Sequence, residues 1–208
     1  MMADTSIEFA SLLCSRLCHD LLSPVGAMNN GLELLADEDD PAMRANCLEL
    51  LADSARSAAE KLKFFRLAFG AGGGFGEEIA TSEIKAAIDG LLLGNKRIAL
   101  GWIVDVTAMP KPVAKILLNL AMIAIETLIR GGRLDIGVEG PEVVVRTEGA
   151  RLVLDAEVKA ALTDANVTPT SRTAQAALAR ILATEAGSQI VLNDAEEGVL
   201  LFGASIPV

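Results

Sequence analysis

The sequence predicts an α+β protein: an N-terminal helical hairpin that dimerises into a four-helix bundle, followed by an α/β sandwich. Two observations carry this. Apolar residues recur every seven positions through the first third of the chain, and beyond a run of glycines the pattern changes to short apolar strands alternating with helical stretches. The glycine run divides the chain into a hairpin unit over 1–72 and a second unit over 77–208.

Ile7, Cys14, Leu21, Met28 and Leu35 mark a first helix, flanked by Leu17, Val25 and Leu32 on the same stripe. Asp37 to Asp40 break the pattern, and Pro41 suits the first turn of a second helix with Asp40 as its N-cap. That helix carries Leu48, Ala55, Leu62 and Phe69 at one heptad position and Leu51, Ala58 and Phe65 at another, and it ends at Gly70 and the run Gly72, Gly73, Gly74. Two helices joined by a short turn form an antiparallel hairpin. A lone hairpin leaves apolar stripes in water, and each exposed Leu or Phe forgoes about 1.5–3 kcal/mol. Pairing two hairpins removes that cost, so a homodimer is expected.

In the second unit, 82–93, 112–129 and 173–186 read as helices. Strands are expected over 98–105, 134–138, 142–146, 152–154, 190–192 and 199–206. Three helices against a mixed or antiparallel sheet give the sandwich.

The chain has 208 residues, 51% of them hydrophobic, and a net charge of −10. That balance excludes a general nucleic-acid binder, which needs Lys/Arg clusters to displace counterions, and it excludes adhesion to an anionic membrane. The most apolar stretch, 116–129, is interrupted by Asn119 and Glu126 and is too short to cross a bilayer. Met1, Met2, Ala3 and Asp4 run directly into an amphipathic segment, so no secretory signal is expected. Cys14, Cys18 and Cys47 are odd in number, consistent with a reduced, cytoplasmic chain. A metal site at Cys14, Cys18 and His19 is not expected, because a fourth ligand is missing and Cys14 belongs to the apolar stripe.

His19 is the chain's only histidine. At about 100° per residue it lies roughly 140° around the first helix from Cys14, facing away from the stripe. A core histidine would sit on the apolar face, so His19 is a candidate for chemistry in solvent. Pro24 follows five positions later. An interior proline costs about 3 kcal/mol through a lost backbone hydrogen bond and is expected to kink the helix there.

The run His19-Asp20-Leu21-Leu22-Ser23-Pro24 resembles the H-box of two-component histidine kinases, a His followed by an acidic residue with Pro at the fifth position after it. Leu22 stands where kinases usually carry a basic residue, and Ser23 where they usually carry Thr or Asn. The resemblance implies a dimerisation and phosphotransfer domain whose phosphoacceptor is His19. Neutral imidazole is a competent nucleophile near neutral pH. Asp20 is a candidate for orienting the ring. Arg16, Leu22 and Ser23 are candidates for docking a partner, Arg16 lying one turn before the histidine.

The order of elements in the second unit is similar to the ATP-binding domain of histidine kinases, but its nucleotide motifs are altered. Asn119 matches the first asparagine of the kinase N-box, whereas Ile123 occupies the second and offers no oxygen to a hard cation. Thr147 replaces the adenine-reading Asp of the first glycine box. Only Gly149 of its glycines remains, with Arg151 in place of another. The second glycine box should precede the helix at Thr173, yet 170–175 contains no glycine.

This combination resembles the ChpT family of histidine phosphotransferases of alphaproteobacterial cell-cycle phosphorelays. The resemblance implies a dimer that accepts phosphate from the receiver domain of a hybrid histidine kinase and passes it to response regulators, in that family CtrA and CpdR. It implies no stably bound cofactor and no ATP use, Mg²⁺ coming from the receiver. Two other readings are an ATP-dependent histidine kinase with divergent boxes and a non-catalytic adaptor that binds a regulator.

Overall fold

The structure is a computed structural model that describes residues 2–70 and 76–206. The glycines at 72–74 lie outside the described residues.

Helix α1 runs over Met2–Ala36 and α2 over Pro41–Ala68. The acidic turn between them is closed from both sides. Asp40 accepts from the Ala42 amide at 3.1 Å. Arg44 donates to the carbonyls of Leu35 (3.2 Å) and Glu38 (2.7 Å), supplying acceptor groups at the end of α1 with a partner. Gly31 is buried where the helices approach, and a Cβ there would meet Leu51 Cδ2 at 3.1 Å. Of the two heptad positions of α2, Ala58 and Phe65 turn inward with Leu51 half-buried, while Leu48, Ala55 and Leu62 remain exposed.

The last turns of α2 enter the core of the second unit. Phe64, Phe65, Leu67 and Ala68 are buried there, with Phe65 stacked on Phe69 at 5.1 Å and edge-on to Phe64 at 6.0 Å. The foot of the hairpin is thus covered by the same chain, as Leu17 of α1 also packs on this core. Elsewhere on the hairpin, Ile7, Val25 and Leu32 of α1 and Leu48 and Leu62 of α2 stay exposed.

Beyond the hairpin come β1 (Glu78–Ala80), α3 (Thr81–Leu92), β2 (Ile98–Val104), β3 (Ala108–Pro110), α4 (Lys111–Thr127), β4 (Gly132–Glu139) and β5 (Glu142–Glu148). They are followed by α5 (Ala156–Thr163), α6 (Ala174–Glu185), β6 (Ile190–Asn193) and β7 (Val199–Ser205). The five-stranded sheet has the order β2-β4-β5-β7-β6; β2 and β4 are parallel and every other pairing is antiparallel. Of the mixed or antiparallel sheet expected from the sequence, the mixed form is the one present. Alternation along the strands puts Leu134, Ile136, Val143, Val145, Leu200 and Phe202 on the covered face, where α4 is the central helix of the core.

The structure departs from the sequence-based expectation in three places. Residues 152–154 are coil rather than a strand: Val153 donates to Thr127 at the end of α4 (3.1 Å), while Leu152 and Leu154 pack on the core. Alternating apolar residues there serve as a packed connection and not as a ladder. The short strands β1 and β3, which pair antiparallel, were not expected. Neither was α5, which Asp155 starts by accepting from the amides of Glu157 (2.8 Å) and Val158 (3.4 Å). As the heptad stripe implied, α1 continues helical through Pro24, which is buried.

Candidate functional site

The middle of α1 places His19 on its outer face. Its side chain is 81% exposed, and its Nδ1 lies 3.2 Å from Asp20 Oδ1. Asp20 is itself largely enclosed, with only 13% of its side chain exposed, because its other oxygen accepts from Arg16 Nε at 2.8 Å. An exposed ring is thus tethered on one nitrogen by a fixed carboxylate, while Nε2 has no protein partner among the described residues. An imidazole that donates through Nδ1 keeps its lone pair on Nε2, which is the arrangement a nucleophile needs.

Arg16 is not the free surface arginine that its place on the outer helix suggests. It is 12% exposed and reaches across to the second unit, where it pairs with Glu126 near the end of α4 and donates to the Arg172 carbonyl at 3.4 Å. Arg172 in turn pairs with Asp155 at 2.6 Å. Burial works to lower the basicity of Arg16, but the charge of Glu126 and the hydrogen bond and charge of Asp20 outweigh it and raise the guanidinium further. Burial also pushes the Glu126 carboxyl up, against the opposing pull of Arg16. Lys61, from α2, donates to the backbone carbonyl of Asp20 at 2.9 Å.

These contacts frame a cleft of about 620 Å³ between α1 and the second unit, lined by His19, Arg16 and Glu126 together with the apolar Ile123, Leu154 and Val158. Leu22, one turn after His19, is 68% exposed, and Ser23 is exposed beside it. The structure therefore keeps His19, Leu22 and Ser23 accessible and places Arg16 and Asp20 beneath the histidine as a support. Sequence reasoning did not find Lys61, Glu126, Asp155 or Arg172. Glu126 had one available signal, a carboxylate within an apolar helix.

The positions compared with nucleotide-binding motifs are used by the fold. Asn119 is fully buried; its Nδ2 donates to the carbonyls of Lys115 (2.7 Å) and Ala68 (3.3 Å), and its own carbonyl accepts from Gln175 Nε2 at 3.0 Å. The Asn119 side chain so ties α4 to the end of α2, while the Gln175 side chain, donating to the Asn119 backbone carbonyl, ties α6 to α4. Ile123 is 3% exposed and Thr147 is buried on the covered face of β5. Among the described residues no cluster of His, Cys, Asp and Glu could hold a metal ion, and no helix is long and apolar enough to cross a membrane.

Comparison with known proteins gives a consistent result. The protein phosphotransferase ChpT of Brucella abortus (strain 2308) is 39% identical over 142 residues, 66% of this chain and 64% of that protein. The match thus spans a little under two thirds of that curated relative. The 1.7 Angstrom structure of a bacterial phosphotransferase superposes with a TM-score of 0.83 at 31% identity, covering 95% of this chain and 96% of that one. A histidine kinase domain from the Erythrobacter litoralis EL346 blue-light activated kinase covers 98% of this chain and 94% of that one, at 12% identity and a TM-score of 0.48. Residues 81–198 match the family model described as the histidine phosphotransferase C-terminal domain. That match covers more than half of the sequence: the chain belongs to the histidine phosphotransferase family.

Proposed function

We propose that this protein is the histidine phosphotransferase of a multistep two-component phosphorelay. His19 accepts phosphate from the receiver domain of a hybrid histidine kinase and passes it to response regulators of the CtrA and CpdR kind, in a cytoplasmic cell-cycle circuit. The observation that carries this is an exposed imidazole whose Nδ1 faces a carboxylate anchored at its far oxygen.

In the forward step Nε2 of neutral His19 attacks the phosphorus of the donor's phosphoaspartate. The N–P bond forms as the P–O bond to the aspartate breaks, and the aspartate leaves as a carboxylate. The ring retains its Nδ1 proton and becomes cationic, and the Asp20 carboxylate stabilises that charge. Return transfer to a second receiver reverses each bond change. The aspartate's receiver supplies Mg²⁺, and the shuttle consumes no ATP; the buried roles of Ile123 and Thr147 support a domain kept for packing and docking rather than for nucleotide.

The active form is a homodimer in which 1–72 pairs with its copy as a four-helix bundle and 77–208 stands beside it. The exposed stripe of Ile7, Val25, Leu32, Leu48 and Leu62 supports this, since pairing would bury it. Leu22 and Ser23 then offer the visiting receiver a surface next to His19.

The test is to mix the protein with a phosphorylated receiver domain and follow acid-labile label. Wild type should take the label and His19→Gln should not. An adaptor would keep its effect on the regulator in His19→Gln, and a true kinase would label itself from ATP alone.

A further inference from the structure

A proline inside a helix removes the amide that the carbonyl four residues earlier would accept, and its ring crowds that same carbonyl. In α1 the proline is Pro24, so the deprived carbonyl belongs to Asp20, the residue whose carboxylate touches His19. That carbonyl has another donor. Lys61 Nζ reaches over from α2 and donates to it at 2.9 Å. Asp20 is therefore fixed at both ends: its backbone oxygen is held by Lys61, and its Oδ2 is held by Arg16 Nε at 2.8 Å. The oxygen left over, Oδ1, is the one 3.2 Å from His19 Nδ1.

The geometry points to Lys61 as a positioning residue for phosphoryl transfer: its ammonium takes the place of the amide hydrogen that Pro24 lacks, and so fixes Asp20 where its carboxylate holds His19 in the Nδ1–H form. This inference rests on the reading of His19 as phosphoacceptor. A continuous backbone hydrogen bond would hold the Asp20 carbonyl from within α1 alone. A lysine from α2 instead makes the orientation of the ring depend on how the two helices of the hairpin are packed. It also brings a positive charge near the site, one that acts on the neighbouring Glu126 carboxylate as well. The coupling runs through the hairpin contact itself, since α1 supplies His19, Asp20 and Pro24 and α2 supplies Lys61.

Pro24 provides a way to separate positioning from simple helix pairing. Replacing it with alanine returns an amide to position 24, which can donate to the Asp20 carbonyl without Lys61. The experiment uses the full chain as Lys61→Met, Lys61→Arg, Pro24→Ala and the Lys61→Met/Pro24→Ala pair, with a phosphorylated receiver domain as donor. At saturating donor, Lys61→Met should transfer label about tenfold more slowly, with the half-saturating donor concentration changed less than about twofold, the pattern of lost orientation rather than lost binding. Lys61→Arg, which keeps a cationic donor, should recover most of the rate. The double variant should match the Pro24→Ala single to within about twofold, because the restored amide makes the lysine redundant.

Imidazole ¹⁵N spectra give a second readout that helix pairing alone would not move. His19 is the chain's only histidine, so its signals need no assignment. The Nδ1–H tautomer should dominate in wild type and lose population in Lys61→Met. Should Lys61→Met fail to fold, Lys61→Gln, too short to reach the carbonyl, carries the same comparison. Unchanged rate and tautomer in the lysine variant would overturn the inference, as would a slow variant that Pro24→Ala does not rescue. A wild-type chain that takes no label while its tautomer still responds to Lys61 would instead sink the phosphotransfer reading and leave the coupling standing.

Discussion

Arg16 of α1 and Glu126 of α4 form an ion pair that joins the helix carrying His19 to the sheet-bearing unit, across 110 residues of sequence. The same guanidinium grips the carboxylate of Asp20. One side chain thereby links two matters that would otherwise be independent, the placement of the second unit and the orientation of the carboxylate at the histidine.

Removing that guanidinium leaves two carboxylates without their partner. Arg16→Gln should lower the unfolding free energy by about 2–3 kcal/mol, the range for breaking a largely buried pair after discounting the solvent that reaches Glu126. Urea denaturation checks it. Glu126→Gln should change stability less, since Arg16 retains Asp20 and burial already disfavours the charged carboxylate.

The raised Glu126 carboxyl gives a pH dependence with a definite sign. A carboxyl whose folded value exceeds its unfolded one contributes stability at low pH and loses that contribution as the pH rises through the folded value. Wild type should therefore gain on Glu126→Gln as the pH falls from neutral toward the ordinary glutamate range. The gain should be modest, because the Glu126 side chain is 44% exposed. Paired denaturation curves across that window measure the difference, and a wild type that loses stability relative to Glu126→Gln as the pH falls would oppose it.

The proposed dimerisation through the bare stripe can be tested at one residue. Leu62 of α2 is exposed in the single chain yet lies at the heptad position of Leu48 and Ala55. Burying a leucine contributes about 1.5–3 kcal/mol, and a charge there must be desolvated besides. Leu62→Glu should convert the dimer to monomer in sedimentation without unfolding it. A variant that sediments as wild type would place the interface elsewhere.

Leu22 lies outside that stripe, one turn from His19. Leu22→Glu should leave sedimentation unchanged and slow phosphotransfer from a receiver by about tenfold or more, in keeping with the 1–3 kcal/mol typical of an apolar contact residue at an interface. Unaltered transfer would remove this surface from the docking site.

Asn119 tests the fate of the nucleotide motif. If it is retained for its bonds to Ala68 and Lys115, Asn119→Ala should cost about 1–3 kcal/mol of stability, the range for leaving buried groups unpaired. Melting curves should show that loss, and Mg-ATP should shift neither wild type nor variant.

Much of this architecture was legible in the sequence because it is periodic. The heptads put Leu51, Ala58 and Phe65 on the inward side of α2 and leave His19 on the outward side of α1, and Asp40 capped the helix it was expected to cap. Long strands such as β5 and β7 declared themselves by alternation. Elements too short to repeat did not: β1 and β3 have three residues each, and α5 has eight. Residues 152–154 misled because alternating apolar side chains also suit a coil pressed against a core. At the site, heptad position exposed His19, but neither Glu126 nor Lys61 could be paired with α1 beforehand, since contacts between distant segments are set by how the helices pack.

The central claim is that phosphate travels through His19, and a reconstituted relay measures it most directly. A phosphorylated donor receiver, this protein and an unphosphorylated acceptor receiver are mixed, and label is followed on the acceptor. The account predicts rapid acceptor labelling with wild type and none above background with His19→Gln. Equal labelling with the variant, or labelling of this protein from ATP without any donor, would contradict it.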